Sequence, residues 1–389
     1  EKEQPKPASN FEELPELEKR INLERRILDN IEGSKSSKVK SKIEKIYNKL
    51  PNGYVKTALC FEVRKGILHI FLPPLQRNEN YIELITAIEE VAKRLKMPVK
   101  LEGYEPPRDP RMEHFHITPD PGVIEVNIQP SKDWEGIKNV TENVYNESRK
   151  TGLTAEKFLV DGRITGTGGG NHIIAGGPTP AESPWLERPD ILKSLLKFWQ
   201  NHPGLSYLFS SIFIGPTSQA PRIDEARHES LNELEISLKQ FNKNIHKTPW
   251  MIDRLLRNIL VDLVGNTHRT EICIDKLYNP EGETGRLGLV EFRGFEMTPH
   301  AKMNLVQILL IRALITSFME KPYEGKLIRW GTSLHDRFML PHFVWNDFLE
   351  VIDYLNLNGF KFDAEWFIPQ REFRFPIYGK KQVGDVEIE

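Results

Sequence analysis

The stretch Gly166-Thr-Gly-Gly-Gly-Asn-His172 reads as a glycine-rich turn that ends in a histidine. Glycine tolerates backbone conformations that other residues avoid. Such a turn can bring N–H groups close to phosphate, with an imidazole at its edge. The run does not fit a Rossmann fingerprint, because Ile173-Ile-Ala-Gly-Gly177 continues as strand and turn rather than helix. No Gly-Lys-Ser/Thr is present, so it is not a Walker A loop either.

Working outward, two short segments alternate apolar and polar residues as strands do. In Val123-Ile-Glu-Val-Asn-Ile128, Ile124, Val126 and Ile128 share one face, and Glu125 and Asn127 the other. In Val290-Glu-Phe-Arg293, Val290 and Phe292 share a face opposite Glu291 and Arg293. Each strand is expected to bury its apolar face and present charge to a cleft. Carboxylates, a histidine and an arginine on one sheet face suit Mg²⁺ and phosphate chemistry.

Other elements follow by the same rules. Thr57–Val63 and Ile67–Leu72 flank Arg64-Lys-Gly66 as a hairpin, with Cys60 and Glu62 on one face. Asn80, with Glu83 three residues on, signals a helix through Lys96 with a buried stripe of Ile82, Ile85, Val91, Ala92 and Leu95. Val99–Gly103 reads as a strand. Thr248-Pro249 opens a helix ending near Gly265. Leu305–Phe318 is too short and too interrupted, by Gln307 and Arg312, to span a bilayer, and reads as a core helix. Glu372-Phe-Arg374 repeats the Glu-x-Arg spacing and reads as a structural strand. Strands, then helices, then strands again indicate an α+β fold built on a largely antiparallel sheet.

Residues 1–50 read as a polar tail, a charged helix over Phe11–Ile31 and a basic, Ser-rich linker around Gly33–Lys42. The main domain is placed over 51–389. The formal net charge of −2 argues against a nucleic-acid binder driven by phosphate neutralisation. Cys60 and Cys273 are the only cysteines, which indicates neither a disulfide framework nor a Cys-rich zinc site. A reducing, cytoplasmic setting is expected, since the chain opens without the apolar region of a signal peptide. No membrane association is expected. The missing initial Met and an end inside strand-like alternation suggest a piece of a longer protein.

Glu62, Glu105, Glu125 and Glu291 are candidate metal ligands, since Mg²⁺ takes hard oxygen donors from carboxylates and phosphates. His172 joins them as a candidate. Arg222, Arg227, Arg286 and Arg293 are candidate anion contacts, because arginine grips carboxylate and phosphate bidentately. Arg222 lies in Gly215-Pro-Thr-Ser-Gln-Ala-Pro-Arg222, a stretch so rich in turn formers that it reads as a loop outside the core. No nucleophile stands out.

The order of these motifs resembles the bacterial amidoligase family among the glutamine synthetase-like carboxylate–amine ligases. The segments Thr57–Glu62, Glu102–Arg111, Pro119–Asn127, Gly162–His172, Gly215–Arg222 and Val290–Arg293 carry the resemblance, which covers nearly everything from about residue 55 onward. It implies an open half-barrel of largely antiparallel strands with helices on the outer face. It implies a chain often found behind a transglutaminase-like domain. Metal ligands by this resemblance are Glu62, Glu105, Glu125, His172 and Glu291. Gly168, Gly169, Gly170 and Asn171 would bind nucleotide, Arg293 would contact phosphate, and Arg222 would grip the substrate carboxylate, with Arg286 a further anion contact. Cys60 stands where glutamine synthetase has a first acid. The implied activity is ligation dependent on ATP and Mg (or Mn): a carboxylate becomes an acyl phosphate, and an amine displaces phosphate, on a peptide or amino-acid-like substrate. Competing readings are a phosphagen-kinase-like phosphotransferase, a non-catalytic binding module and a metal-dependent hydrolase.

Overall fold

A computed structural model describes residues 58–388, apart from 108, 110, 113, 228, 242–244 and 281–284. The expected features of residues 1–50, and the domain boundary at 51, lie outside the described residues. The chain divides into two compact units, the first ending at Glu113 and the second starting at His114.

In the first unit, β1 (Cys60–Arg64) and β2 (Ile67–Leu72) form the expected hairpin. Its turn is Lys65-Gly66, and both residues have positive φ, 50° and 79°. That is the combination a two-residue type I′ turn requires. A helix, Asn78–Leu95, then leads to β3 (Val99–Gly103), which lies parallel to β2. Pairing of Glu62 with His69, and of Phe71 with Glu102, puts Cys60, Glu62, Arg64, His69 and Glu102 on one face. Ile70 and Leu72, on the other, are buried.

The helix differs from its expected form at the start. Arg77 occupies the N-cap with no side-chain hydrogen bond, and Asn80 lies inside the first turn. It ends as expected, with Lys96 left-handed at φ 51°. Its inner stripe is Tyr81, Leu84, Ile85, Ile88 and Ala92, while Ile82, Val91 and Leu95 are exposed. The stripe is rotated from the expected one and keeps the i, i+3, i+4, i+7 spacing of a single helix face.

The second unit holds most of the core. β4 (His116–Asp120) and β5 (Val123–Asn127) make a hairpin through Pro121-Gly122. β6 (Glu156–Phe158) pairs with β7 (Ile164–Gly166). β8 (Ile173–Ala175) and β9 (Ile272–Cys273) flank β10 (Val290–Phe292) in an antiparallel sheet. β11 (Lys381–Val383) and β12 (Val386–Ile388) close the chain as a hairpin. Helices Pro189–Asn201, Ala301–Glu320 and Pro341–Leu357 meet through Phe198, Phe318 and Tyr354, with ring centroids 4.7–6.2 Å apart. Such tilted aromatic contacts add to the burial of apolar area.

The α+β class holds. The broad antiparallel sheet is divided: among the described residues the strands form sheets of only two or three, and no closed barrel. The helix Ala301–Glu320 is the expected core helix, but it is not too short to span a bilayer as expected: its 20 residues extend past Leu305–Phe318 at both ends and are long and apolar enough to cross a membrane, while 56% of the apolar window is buried inside the unit. The helix opening at Pro249 ends at Leu256, not near Gly265. The chain there turns instead, with Asp262 Oδ1 accepting from the amides of Val264 and Asn266 at 3.0 and 2.8 Å. Glu372-Phe-Arg374 is not a strand but the end of the helix Ile368–Arg374, whose proline lies in the first turn.

Candidate active site

The site is built on β10. Its alternation is as expected: Val290 and Phe292 are fully buried in the core, beside Ile173 and Ile272. Glu291 and Arg293 take the opposite face. Glu291 is also buried, at 4% exposure, so its carboxylate needs partners. It has three. Arg293 Nη1 donates to Oε1 at 2.6 Å, Lys276 Nζ donates to Oε2 at 3.0 Å, and His172 Nδ1 lies 3.1 Å from Oε1. Burial pushes this carboxyl's pKa up, but His172, Lys276 and Arg293 together outweigh it and hold the group well below the usual carboxylate range.

The glycine turn positions the histidine. Gly168 and Gly170 have φ of 92° and 81°. A Cβ on Gly170 would lie 2.9 Å from His172 Nε2, so only glycine lets the imidazole fold back over the turn. Asn171 anchors the turn from below. Its amide N–H donates to Phe295 O at 2.8 Å, its side-chain nitrogen donates to Gln307 Oε1 at 2.8 Å, and its oxygen accepts from Asn304 at 2.9 Å. Gln307 donates onward to Gln370, which donates to Leu208 O. The side chain of Asn171 is thus spent on the helix Ala301–Glu320.

Gly169 approaches Val123, where an added Cβ would stand 3.4 Å from a Val123 methyl. Val123 shares its strand face with Glu125 and Asn127, so that face of β5 is the one turned toward the glycine turn. Glu125 itself is exposed and accepts from Asn127 Nδ2 at 2.7 Å.

Glu62 and Glu105 belong to the first unit. Glu62 accepts from Arg64 at 2.8 Å, and Arg64 also reaches Glu102 at 3.2 Å. Arg64 lowers the Glu62 pKa. Glu102 is 2.6 Å from the Nδ1 of the buried His69. Glu105 follows β3 and is exposed. Cys60 is exposed at the start of β1.

Arg222 is not a loop residue outside the core. It is 1% exposed, and its guanidinium is engaged by Asp224 at 2.9 Å, Ser206 at 2.8 Å and Gln200 O at 2.9 Å. Burial acts to lower its pKa, but Asp224 and Glu271 more than compensate and raise it. Glu271 lies in the same buried cluster. Burial raises its pKa to about 7 against the pull of Arg222. Arg286 is exposed and donates to Asn279 O and Pro280 O beside the Tyr278 ring. Arg227 pairs with Glu233 at 2.6 Å.

Lys276 and Glu102 are charged residues outside the candidates expected from the sequence. Lys276 lies in the turn after β9, where no periodicity announces that its amine returns to Glu291. The face of Glu102 does follow from the sequence, since it alternates with Leu101 and Gly103 on the strand Val99–Gly103.

A family model described as "Putative amidoligase enzyme (DUF2126)" matches residues 1–389. The chain belongs to this family. Membership of the amidoligase family places it among amide-bond-forming ligases in general. Comparison with curated proteins and with solved structures gave no match.

Proposed function

We propose that this amidoligase is an ATP- and Mg-dependent carboxylate–amine ligase of glutamine synthetase-like architecture, acting on a peptide or amino-acid-like carboxylate. The observation that carries the reading is the buried Glu291 carboxylate, kept ionised by His172, Lys276 and Arg293.

The residues fit the groups this reaction needs. An ionised carboxylate beside an imidazole matches a Mg²⁺ site that relies on one or two carboxylates and completes its shell with phosphate oxygens. Glu291 and His172 would hold that ion, with Glu125 supplying a further oxygen from β5. Among the described residues, Arg293 Nε is buried with no hydrogen-bond partner, which suits a donor waiting for an anion. When bound, the ion would neutralise charge spread over the transferring phosphoryl group.

The chain's own residues then have distinct tasks. Glu291 is a poor general base, since the His172 hydrogen bond and the Lys276 and Arg293 charges hold its affinity for protons low; its task is to bind and orient. Arg293 and Lys276 stabilise negative charge on the phosphoryl group as it passes to the substrate carboxylate. The Gly168–Gly170 turn presents backbone N–H groups to the nucleotide. An amine displaces phosphate from the acyl phosphate, forming the amide.

The test uses Glu291→Gln, which keeps the shape of the site and removes the charge. ATP with Mg²⁺ at about 100 times its dissociation constant should stabilise wild type by roughly 2.7 kcal/mol in thermal unfolding. The variant should show no such shift. Hydroxylamine with a carboxylate substrate should yield a hydroxamate in wild type alone. An equal nucleotide shift in the variant would remove Glu291 from the metal site. ATP consumption with a stable phosphorylated amine and no amide would favour a phosphotransferase.

A further inference from the structure

Beside β10, a second set of donors adjoins the site just described. Cys273 pairs directly with Glu291 across the β9–β10 ladder. One donor atom each of His268, Cys273 and Asp275 lies within 4.8 Å of the other two. His268 Nε2 is already 3.3 Å from Asp275 Oδ2. Thr267 Oγ1 donates to the same oxygen at 2.8 Å, fixing the carboxylate's orientation as the outer partner of a metal ligand does.

We propose that His268, Cys273 and Asp275 form a site for a borderline-soft divalent cation of the Zn²⁺ class, separate from the Mg²⁺ site on Glu291. The donor set decides the class. The thiolate sulfur, joined by an imidazole and a single carboxylate, selects Zn²⁺ or Co²⁺ and disfavours Mg²⁺, which does not take soft sulfur donors. Three protein ligands leave the fourth tetrahedral position to water or another small ligand. Bond lengths of about 2.0–2.3 Å put tetrahedral donors roughly 3.5 Å apart, so the cluster must contract by about 1 Å. The His268 side chain, 53% exposed, has the freedom to supply that movement, while Cys273 and Asp275 are fixed by β9 and its turn. On binding, the thiol gives its proton to solvent and coordinates as thiolate. The inference does not depend on the ligase reading.

The experiment is a Co²⁺ titration of the whole chain after chelator treatment, followed by the thiolate-to-cobalt charge-transfer absorption. One equivalent should produce the band, Zn²⁺ should displace it, and excess Mg²⁺ should not. The band should persist in Cys60→Ser, which removes the exposed thiol, and disappear in Cys273→Ser. His268→Ala should weaken binding by more than about tenfold. That residue is exposed, so this variant decides the matter if Cys273→Ser fails to fold. Absence of the band, its loss in Cys60→Ser, or unchanged affinity in His268→Ala would overturn the proposal.

Discussion

Two buried glutamates respond to pH in opposite directions. Glu291 has a folded-state pKa held below its unfolded value near 4.5. Its contribution to stability is complete above that value and is lost as pH falls. Glu271 is raised from 4.5 to about 7, because burial penalises its charge more than Arg222 relieves it. Its contribution is complete below about 4.5 and is lost as pH rises through about 7, a change of roughly 3 kcal/mol. Glu271→Gln fixes the neutral form, so the decline in stability between pH 5 and pH 8 should flatten. Urea unfolding at several pH values checks this; an unchanged slope would mean that the buried cluster is already neutralised in some other way. At this scale the sequence is partly legible. The opposition of Glu291 to Phe292 follows from a period of two. The burial of Arg222 does not, because Ser206 and the carbonyl of Gln200 come from another segment, although Asp224 stood two residues away.

Among the elements, β7 is held closely to its neighbour. A Cβ on Gly166 would stand 2.5 Å from Glu296 Cγ and 2.6 Å from its Oε1. Glu296 has little room to yield, being buried and hydrogen-bonded by Thr165. Gly166→Ala should therefore cost about 1–3 kcal/mol, while Gly169→Ala, whose added carbon meets Val123 at 3.4 Å, should cost less. Denaturant midpoints of the two variants give the comparison, and equal losses would sink it. Sequence patterns located the hairpin at Lys65-Gly66, strands β3, β5, β8 and β10, and the core helix, since turn chemistry and periodicity are local. They failed for Glu372-Phe-Arg374, where three residues cannot separate a period of two from one of 3.6. They failed also for the start of the first helix, where Arg77 takes the cap position without a capping side chain.

For the whole molecule, the two units differ in how much apolar surface each encloses. Among the described residues of the first unit, only Ile70 and Leu72 are buried hydrophobics, whereas the second contains the large cluster around Trp185, Phe198, Phe209 and Phe348. Local opening is easiest where few apolar groups are buried. Amides of β1–β3 should exchange with deuterium well before those of the helices Pro189–Asn201 and Ala301–Glu320. Simultaneous exchange by mass spectrometry would show instead that the chain opens as one cooperative body. Family membership was readable across the chain because its motifs are spread over both units. The division at Glu113 was not, because the boundary region carries no change of composition as clear as the basic run near residue 40.

The chain of amides from Asn171 through Gln307 to Gln370 has a consequence for solution conditions. None of its members carries charge, so neither protons nor salt alter its hydrogen bonds as they alter ion pairs. The backbone scaffold under the glycine turn should therefore keep one shape across ionic strengths that weaken the attraction between Lys276 and Glu291. Any dependence of nucleotide affinity on salt would then report on charge alone, with the geometry of the turn held constant.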